Sequence, residues 1–316
     1  MLADSNGQTY GQVTIPNGEA RSSKELLQRA FQEASIEYSG PIPPLVAVVG
    51  LPGLHSTALR RAAGETVRSV LPAGSRVALC DELEPLLAGG LAGNAGHILV
   101  AGQQACVGTV NREGLFSRTE EPEDMMGQEG SGLWLGTRTL QLAARLLDGR
   151  LPETPRLVEA LTSHFGKSSL PEVWDSVMTE APSATVITDL ALRTISLAEF
   201  PDPEPACRAL VVRAARRLFE LVQRATADNE GLNLATYHGV SARGALLEEV
   251  FRQTPEHDWH PPHLGGLEGC LFLGRVCGEP GAAEGETVVE DVGPALWATL
   301  RERHGDLRPL AEGRVS

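Results

Sequence analysis

The chain has 316 residues, enough for two lobes of ordinary size, and its 42% hydrophobic and 22% charged content is that of a globular protein. Its 41 acidic against 27 basic residues give a formal net charge of -14. That balance argues against a nucleic-acid or anionic-membrane surface, which needs a basic footprint, but leaves room for one nucleotide held by a few aligned amides.

Leu2, Ala3 and Asp4 read as a strand end running into the turn Ser5-Asn6-Gly7, and no basic stretch with an apolar core marks a secretory leader. Ser22 and Ser23 are N-cap residues for an amphipathic helix in which Leu27 and Phe31 stand four apart. After Pro41, Pro43 and Pro44, the apolar run 45–50 reads as a buried strand. Residues 55–70 read as a helix and 76–80 as a second strand, ending at Asp81-Glu82. Strands alternating with helices indicate an α/β fold with a largely parallel sheet. The glycine-rich stretch 89–96 reads as a hinge. Residues 97–102 and 105–110 read as strands, the second followed by the turn Asn111-Arg112-Glu113-Gly114. Residues 120–124 form an acidic loop. Ser131 opens a helix that runs to Leu147 and closes at Asp148-Gly149. From 152 to 227 the pattern is mainly helical, and its longest segment, 205–227, carries Leu210, Val211, Ala214, Leu218, Leu221 and Val222 at helical spacing. A short strand at 232–235 and helices at 242–251, 267–276 and 294–303 complete the pattern. No run of about 18 apolar residues occurs.

One succession of features resembles a known family. The strand at Val46–Val49, the strand ending in Asp81, the glycine-rich hinge, the strand ending at Gly102, the turn at Gly114 and then Gly127-Gln128-Glu129-Gly130-Ser131-Gly132 follow in the order and spacing of N-acetylglucosamine kinase and the wider BadF/BadG/BcrA/BcrD ATPase family. Gly239-Val240, Gly244-Ala245 and Gly265-Gly266 resemble the glycines that flank that family's adenosine pocket. The resemblance covers roughly residues 1–277.

It implies a two-lobe, ribonuclease H-like (actin-like ATPase) α/β fold, with residues 1–92 as the N-terminal lobe, 93–290 as the C-terminal lobe and 291–316 as a terminal helix and tail. It also implies a catalytic base at Asp81, nucleotide contacts at Gly102, Gln103, Gln104, Gly239 and Val240, and substrate contacts at Gln128, Glu129 and Ser131. A carboxylate at the C-terminal end of a strand faces a cleft, where it accepts a hydroxyl proton. The plainer reading is that Asp81-Glu82 caps the next helix.

The departures from the family pattern carry as much weight. The family opens with a strand and an Asp-Gly-Gly-Gly-Thr-type loop that hold phosphates and a metal. Residue 1 falls where the family's second strand begins, so the first lobe is expected to lack its opening strand and loop. That expectation leaves a strand edge free for a homo- or hetero-dimer partner. Gly102-Gln103-Gln104-Ala105 stands in place of a Gly-Thr-Gly-Ser loop, and Gln104 would crowd a phosphate and disfavour positive φ. Gln128 replaces an Asp that contacts sugar, Pro122-Glu123 stands where a Gly-Trp-Gly is expected, and His238 replaces a Gly. The expectation is a cytoplasmic pseudokinase-like binding or regulatory module impaired in phosphoryl transfer. The alternative is an active ATP- and Mg2+-dependent kinase of an amino sugar or similar small molecule.

Other constellations read as structural. Gly166-Lys167-Ser168 lacks the earlier glycine of a P-loop, since residue 161 is Leu, and no strand precedes it. His257, Asp258, His260 and His263 are spaced for zinc but read as a proline-stiffened loop. Glu120, Glu121, Glu123 and Asp124 read as a solvated face rather than a cation site. Five scattered cysteines (Cys80, Cys106, Cys207, Cys270, Cys277) with no Cys-x-x-Cys pair read as reduced, packed thiols of a cytosolic protein.

Overall fold

The structure, a computed structural model, describes residues 2–3, 9–11, 23–34, 42–51, 54, 57–120, 128–152, 154–199, 201–227, 229, 231–278 and 285–311. The Glu121, Glu123 and Asp124 portion of the acidic loop, Pro122, and Met125-Met126-Gly127 lie outside them. The chain forms two compact units. The first takes 1–96, 110–116 and 262–316, and the second takes 97–109 and 117–261.

In the first unit, β1 (Leu2–Ala3) and β2 (Thr9–Gly11) pair antiparallel. Then follow α1 (Ser23–Ala34), β3 (Val46–Leu51), α2 (Thr57–Arg68), β4 (Arg76–Asp81) and α3 (Leu83–Gly90). β3 pairs parallel with β4, Val46 opposite Arg76 and Leu51 opposite Asp81. Val77 to Cys80 of β4 are all buried, so this stretch is apolar on both faces, as a central parallel strand must be. Val77, Leu79, Leu54 and Val67 form the core here, with Leu27, Val49 and Leu51 packed against it. Among the described residues β3 is an edge, with β4 on one side only.

In the second unit, β5 (Gly96–Ala101), β6 (Ala105–Val110) and β7 (Phe116–Glu120) lead into α4 (Gly132–Leu147). α5 (Pro155–Phe165), α6 (Leu170–Glu180), α7 (Ala184–Glu199) and α8 (Pro205–Ala227) follow, then β8 (Leu234–His238), α9 (Gly244–Gln253) and β9 (Asp258–Trp259). The sheet runs β7-β6-β5-β8-β9, with β5 parallel to β8 and β8 parallel to β9. The core lies among Leu99, Val107, Trp134, Leu135, Leu190, Val211 and Leu218, contributed by the sheet and by α4, α7 and α8. α4 and α7 cross so closely at Gly136 that a Cβ there would lie 1.8 Å from the Ile187 carbonyl oxygen.

The chain then returns to the first unit through α10 (Gly266–Val276), β10 (Val288–Asp291) and α11 (Pro294–Ala311). β10 adds parallel to the free side of β4, giving the order β10-β4-β3. α10 lies against α3, where Gly269 comes 1.8 Å, as a Cβ, from the Pro85 carbonyl oxygen. The stretch 89–96, expected as a hinge, is the end of α3 followed by Ala92 and Gly93, both at positive φ. Gly114 holds φ +80 beneath Pro294 and Trp297, so the turn 111–114 is a seat for α11. No helix among the described residues is long and apolar enough to cross a membrane.

Candidate functional site

In the second unit β5 ends at Ala101 and β6 begins at Ala105, so Gly102-Gln103-Gln104 is the turn between neighbouring strands. The Gly102 N–H donates to the Gln104 carbonyl at 2.9 Å. The Gly102 carbonyl accepts from the first amide of α4, Gly132 N–H, at 2.6 Å. The Ala105 N–H donates to Gln128 Oε1 at 2.8 Å. Gln103 Nε2 donates to Thr185 Oγ1 at 3.1 Å, and Gln104 Oε1 accepts from the Arg118 guanidinium at 3.0 Å. None of residues 102–104 has positive φ, the conformation that Gln104 disfavours.

That geometry decides what the turn can hold. A backbone anion nest needs successive residues of alternating hand, so that their N–H groups converge. This turn has no left-handed residue, its Gly102 and Ala105 amides are spent on protein acceptors, and both glutamine side chains are tied to neighbours. The turn is therefore not such a nest.

The segment after β8 lies against the same turn. Gly239 holds φ +112, and a Cβ there would stand 2.5 Å from the Ala101 carbonyl oxygen. Beyond the half-buried Val240, the Ser241 N–H donates to that carbonyl at 2.9 Å. His238, where the family pattern has glycine, is the exposed end of β8.

Gln128, 5% exposed, accepts from the Ala105 N–H with its side-chain oxygen and so braces the turn. Ser131 is the fully buried N-cap of α4, its Oγ accepting from Trp134 N–H at 3.1 Å. Glu129 is held by Arg213 of α8 through two hydrogen bonds of 2.5 and 3.0 Å, which also push the Arg213 guanidinium further up. Arg213 and Arg138 each lie over the Trp134 ring, about 5 Å from its centre. We expect Gln128→Ala to strand the buried Ala105 N–H and cost about 1–3 kcal/mol, read by urea unfolding.

Asp81 stands in the first unit, at the C-terminal end of β4 as expected, and is 4% exposed. Its Oδ1 accepts from Leu83 N–H at 3.0 Å, and its own N–H donates to Glu84 Oε2 at 2.9 Å. This is the reciprocal pattern of a capping box, with Asp81 and Glu84 three apart at the start of α3. Glu84 Oε1 also accepts from Trp297 Nε1 of α11 at 3.4 Å. Burial pushes the Glu84 carboxyl up to about 7, against two hydrogen bonds that lower it. Sequence reasoning passed over Glu84, although Asp-x-x-Glu before an apolar run is a legible N-terminal signature. Trp297, more than 200 residues away, left no local signal.

Thus the structure gathers Gly102, Gln103, Gln104, Gln128, Ser131, Gly239 and Val240 in one unit and places Asp81 in the other. Burial pushes the Cys80 thiol far up, which leaves a packed, unreactive group. Gly166 ends α5 in the left-handed conformation, and Lys167 pairs with Glu180 at 3.2 Å, so this stretch links two helices. His97 is fixed between Thr109 Oγ1 at 2.9 Å and the Leu232 carbonyl at 3.2 Å, and burial lowers it to about 4. Among the described residues no group of three His, Cys, Asp or Glu side chains is placed to hold a metal ion.

No family model and no curated protein matches the chain. Among solved structures it is similar to a putative N-acetylglucosamine kinase from Chromobacterium violaceum, with 24% identity over 78% of this chain and 81% of that one, at a TM-score of 0.58. It is also similar to the putative N-acetylglucosamine kinase from Porphyromonas gingivalis, with 16% identity over 96% of this chain and 94% of that one, at a TM-score of 0.58. At such identities the likeness speaks for the fold. The chain has the ribonuclease H-like, actin-like ATPase fold of these N-acetylglucosamine kinase structures, as the order of its strands and glycines implied.

Proposed function

We propose that this chain is a BadF-type, N-acetylglucosamine kinase-like protein impaired in ATP-dependent phosphoryl transfer, which acts as a binding or regulatory module. The observation that carries the reading is the turn at Gly102-Gln103-Gln104. Phosphoryl transfer is almost entirely positioning and charge stabilisation of phosphates. A turn with no left-handed residue, with its Gly102 and Ala105 amides and both glutamine side chains engaged by the protein, offers little of either. The test is ADP release with ATP, Mg2+ and N-acetylglucosamine. The reading expects no sugar-dependent release above a protein-free blank, and turnover at ordinary kinase rates, about 1–100 per second, would refute it. The edge of β3, open among the described residues, supports a homo- or hetero-dimer partner for such a module, and a stable monomer in size exclusion would remove that motive.

A second reading is an active kinase of an amino sugar or a similar small molecule. What favours it is the carboxylate of Asp81 at a strand end beside a second buried carboxyl, Glu84. On that reading Asp81→Asn abolishes sugar-dependent ADP release while leaving the fold intact by circular dichroism. Activity that exists and survives the change would remove Asp81 from the role of base.

A further inference from the structure

α8 carries its buried stripe, Val211, Ala214, Ala215 and Leu218, against the core of the second unit. The opposite side of a surface helix ordinarily carries polar residues. Here Pro205, Ala209 and Val212 are exposed on it, with Val212 at 39%. These apolar groups, with Pro203, line a shallow, open groove of about 670 Å³ along α8, edged by Arg208, Arg213 and Arg216.

The charged side chains that line this groove are all basic, against the charge of the chain. Arg208 and Arg252 share the buried carboxylate of Glu249, Arg216 and Arg217 share Glu220, and Arg213 holds Glu129. Guanidinium groups therefore outnumber the carboxylates they share, on a chain whose formal net charge is -14. The side chains of Arg213 and Arg216 remain 55% and 78% exposed, so both still present charge to solvent.

The spacing selects the kind of partner. From Arg208 to Arg216 is about 12 Å along a helix, at 1.5 Å per residue. A single phosphate or carboxylate engages one guanidinium, or two that converge, and cannot span that distance. An extended polyanion can. A nucleic acid would make no use of an apolar floor and would meet the strongest repulsion from so acidic a chain.

We propose that the outer face of α8 is a docking groove for an acidic peptide segment of a partner protein. Apolar side chains of the segment lie over Pro205, Ala209 and Val212, and its Asp or Glu side chains meet Arg208, Arg213 and Arg216. Complementary charges of this kind set encounter rate and register, while the apolar contacts hold the complex.

The test uses the full chain and a fluorescein-labelled peptide of Glu-Glu-Leu repeats, about twelve residues long so that it spans the groove, followed by anisotropy at low and at physiological salt. The groove predicts saturable binding that weakens as salt rises. It also predicts losses on the order of tenfold for both Arg216→Glu and Val212→Asp, each with an unchanged circular dichroism spectrum and melting temperature. A matched Lys-Lys-Leu peptide should not bind. The proposal is overturned if the acidic peptide shows no saturable binding, or if both variants bind it like wild type. It is equally overturned if an oligothymidine of similar length displaces the peptide at lower concentration. A dimer in sedimentation that Val212→Asp dissolves would assign the face to a second copy and overturn it as well.

Discussion

Gly239→Ala is expected to lower the free energy of unfolding by about 4 kcal/mol, a large share of the 5–15 kcal/mol that holds an ordinary domain together. Two separate costs add at this position. At φ +112 the backbone lies where side-chain-bearing residues are strained, at about 1–3 kcal/mol. The new Cβ would also stand 2.5 Å from the Ala101 carbonyl oxygen and 2.9 Å from the Gly102 nitrogen. Neither neighbour is the free end of a side chain. The Ala101 carbonyl also accepts from Ser241 N–H, so moving it away opens a second contact. Gly149 separates the two costs, because it holds φ +72 but a Cβ there would meet nothing within 4 Å. Gly149→Ala should cost about 1 kcal/mol, the strain alone. Urea unfolding of both variants checks the pair. If they lose the same stability, the close approach of Gly239 to the end of β5 is not tight.

Glu84→Gln is expected to make the first unit more stable at pH 8 and to change sign towards neutral or mildly destabilising at pH 5. Burial raises this carboxyl from its ordinary 4.5 to about 7. A folded-state value above the unfolded one means the folded chain binds the proton more tightly. The stabilising contribution is therefore complete below about pH 4.5 and is lost as pH rises through 7. At about 1.4 kcal/mol per unit, the charged form costs about 3 kcal/mol above pH 7. Glutamine keeps an acceptor for the Asp81 N–H and carries no charge, but it gives up the long bond from Trp297, worth about 1 kcal/mol. The net gain at pH 8 is then about 2 kcal/mol. The difference between variant and wild type, measured at both pH values, isolates Glu84 from other groups. One of those is His97 in the second unit, whose lowering to about 4 supplies stability above pH 6.5 that is lost as pH falls towards 4. A variant-minus-wild-type difference that stays flat between pH 5 and 8 would mean that Glu84 is not desolvated.

Where a signal was local, the sequence carried it. The apolar run at Val46–Leu51 between prolines and a glycine, the strand ending at Asp81, and the Ser131 cap of α4 all lie in a few consecutive residues. α3 was legible only as the helix that Asp81-Glu82 would cap, its end being read as part of the hinge at 89–96, because Leu-Glu-Pro-Leu-Leu-Ala-Gly-Gly shows no helical period. Its helicity is supported by α10 packed across it at Gly89 and Gly269. β10 was missed because its four residues become a strand by pairing with β4, some 210 positions earlier. The site divides in the same way. Gly239 was reached through the family resemblance, and Asp81 through that resemblance and its place as a carboxylate at a strand end. That Gln103 would bond Thr185, that Gln104 would accept from Arg118, and that Gln128 would brace Ala105 follow from tertiary approach alone.

The most direct test of the central claim is isothermal titration of the purified chain with ATP and Mg2+. If the turn at Gly102-Gln103-Gln104 lacks the converging amides of a phosphate site, nucleotide at millimolar concentration should give no saturable heat, a free energy weaker than about -4 kcal/mol. Tight, stoichiometric binding accompanied by sugar-dependent ADP release would contradict it.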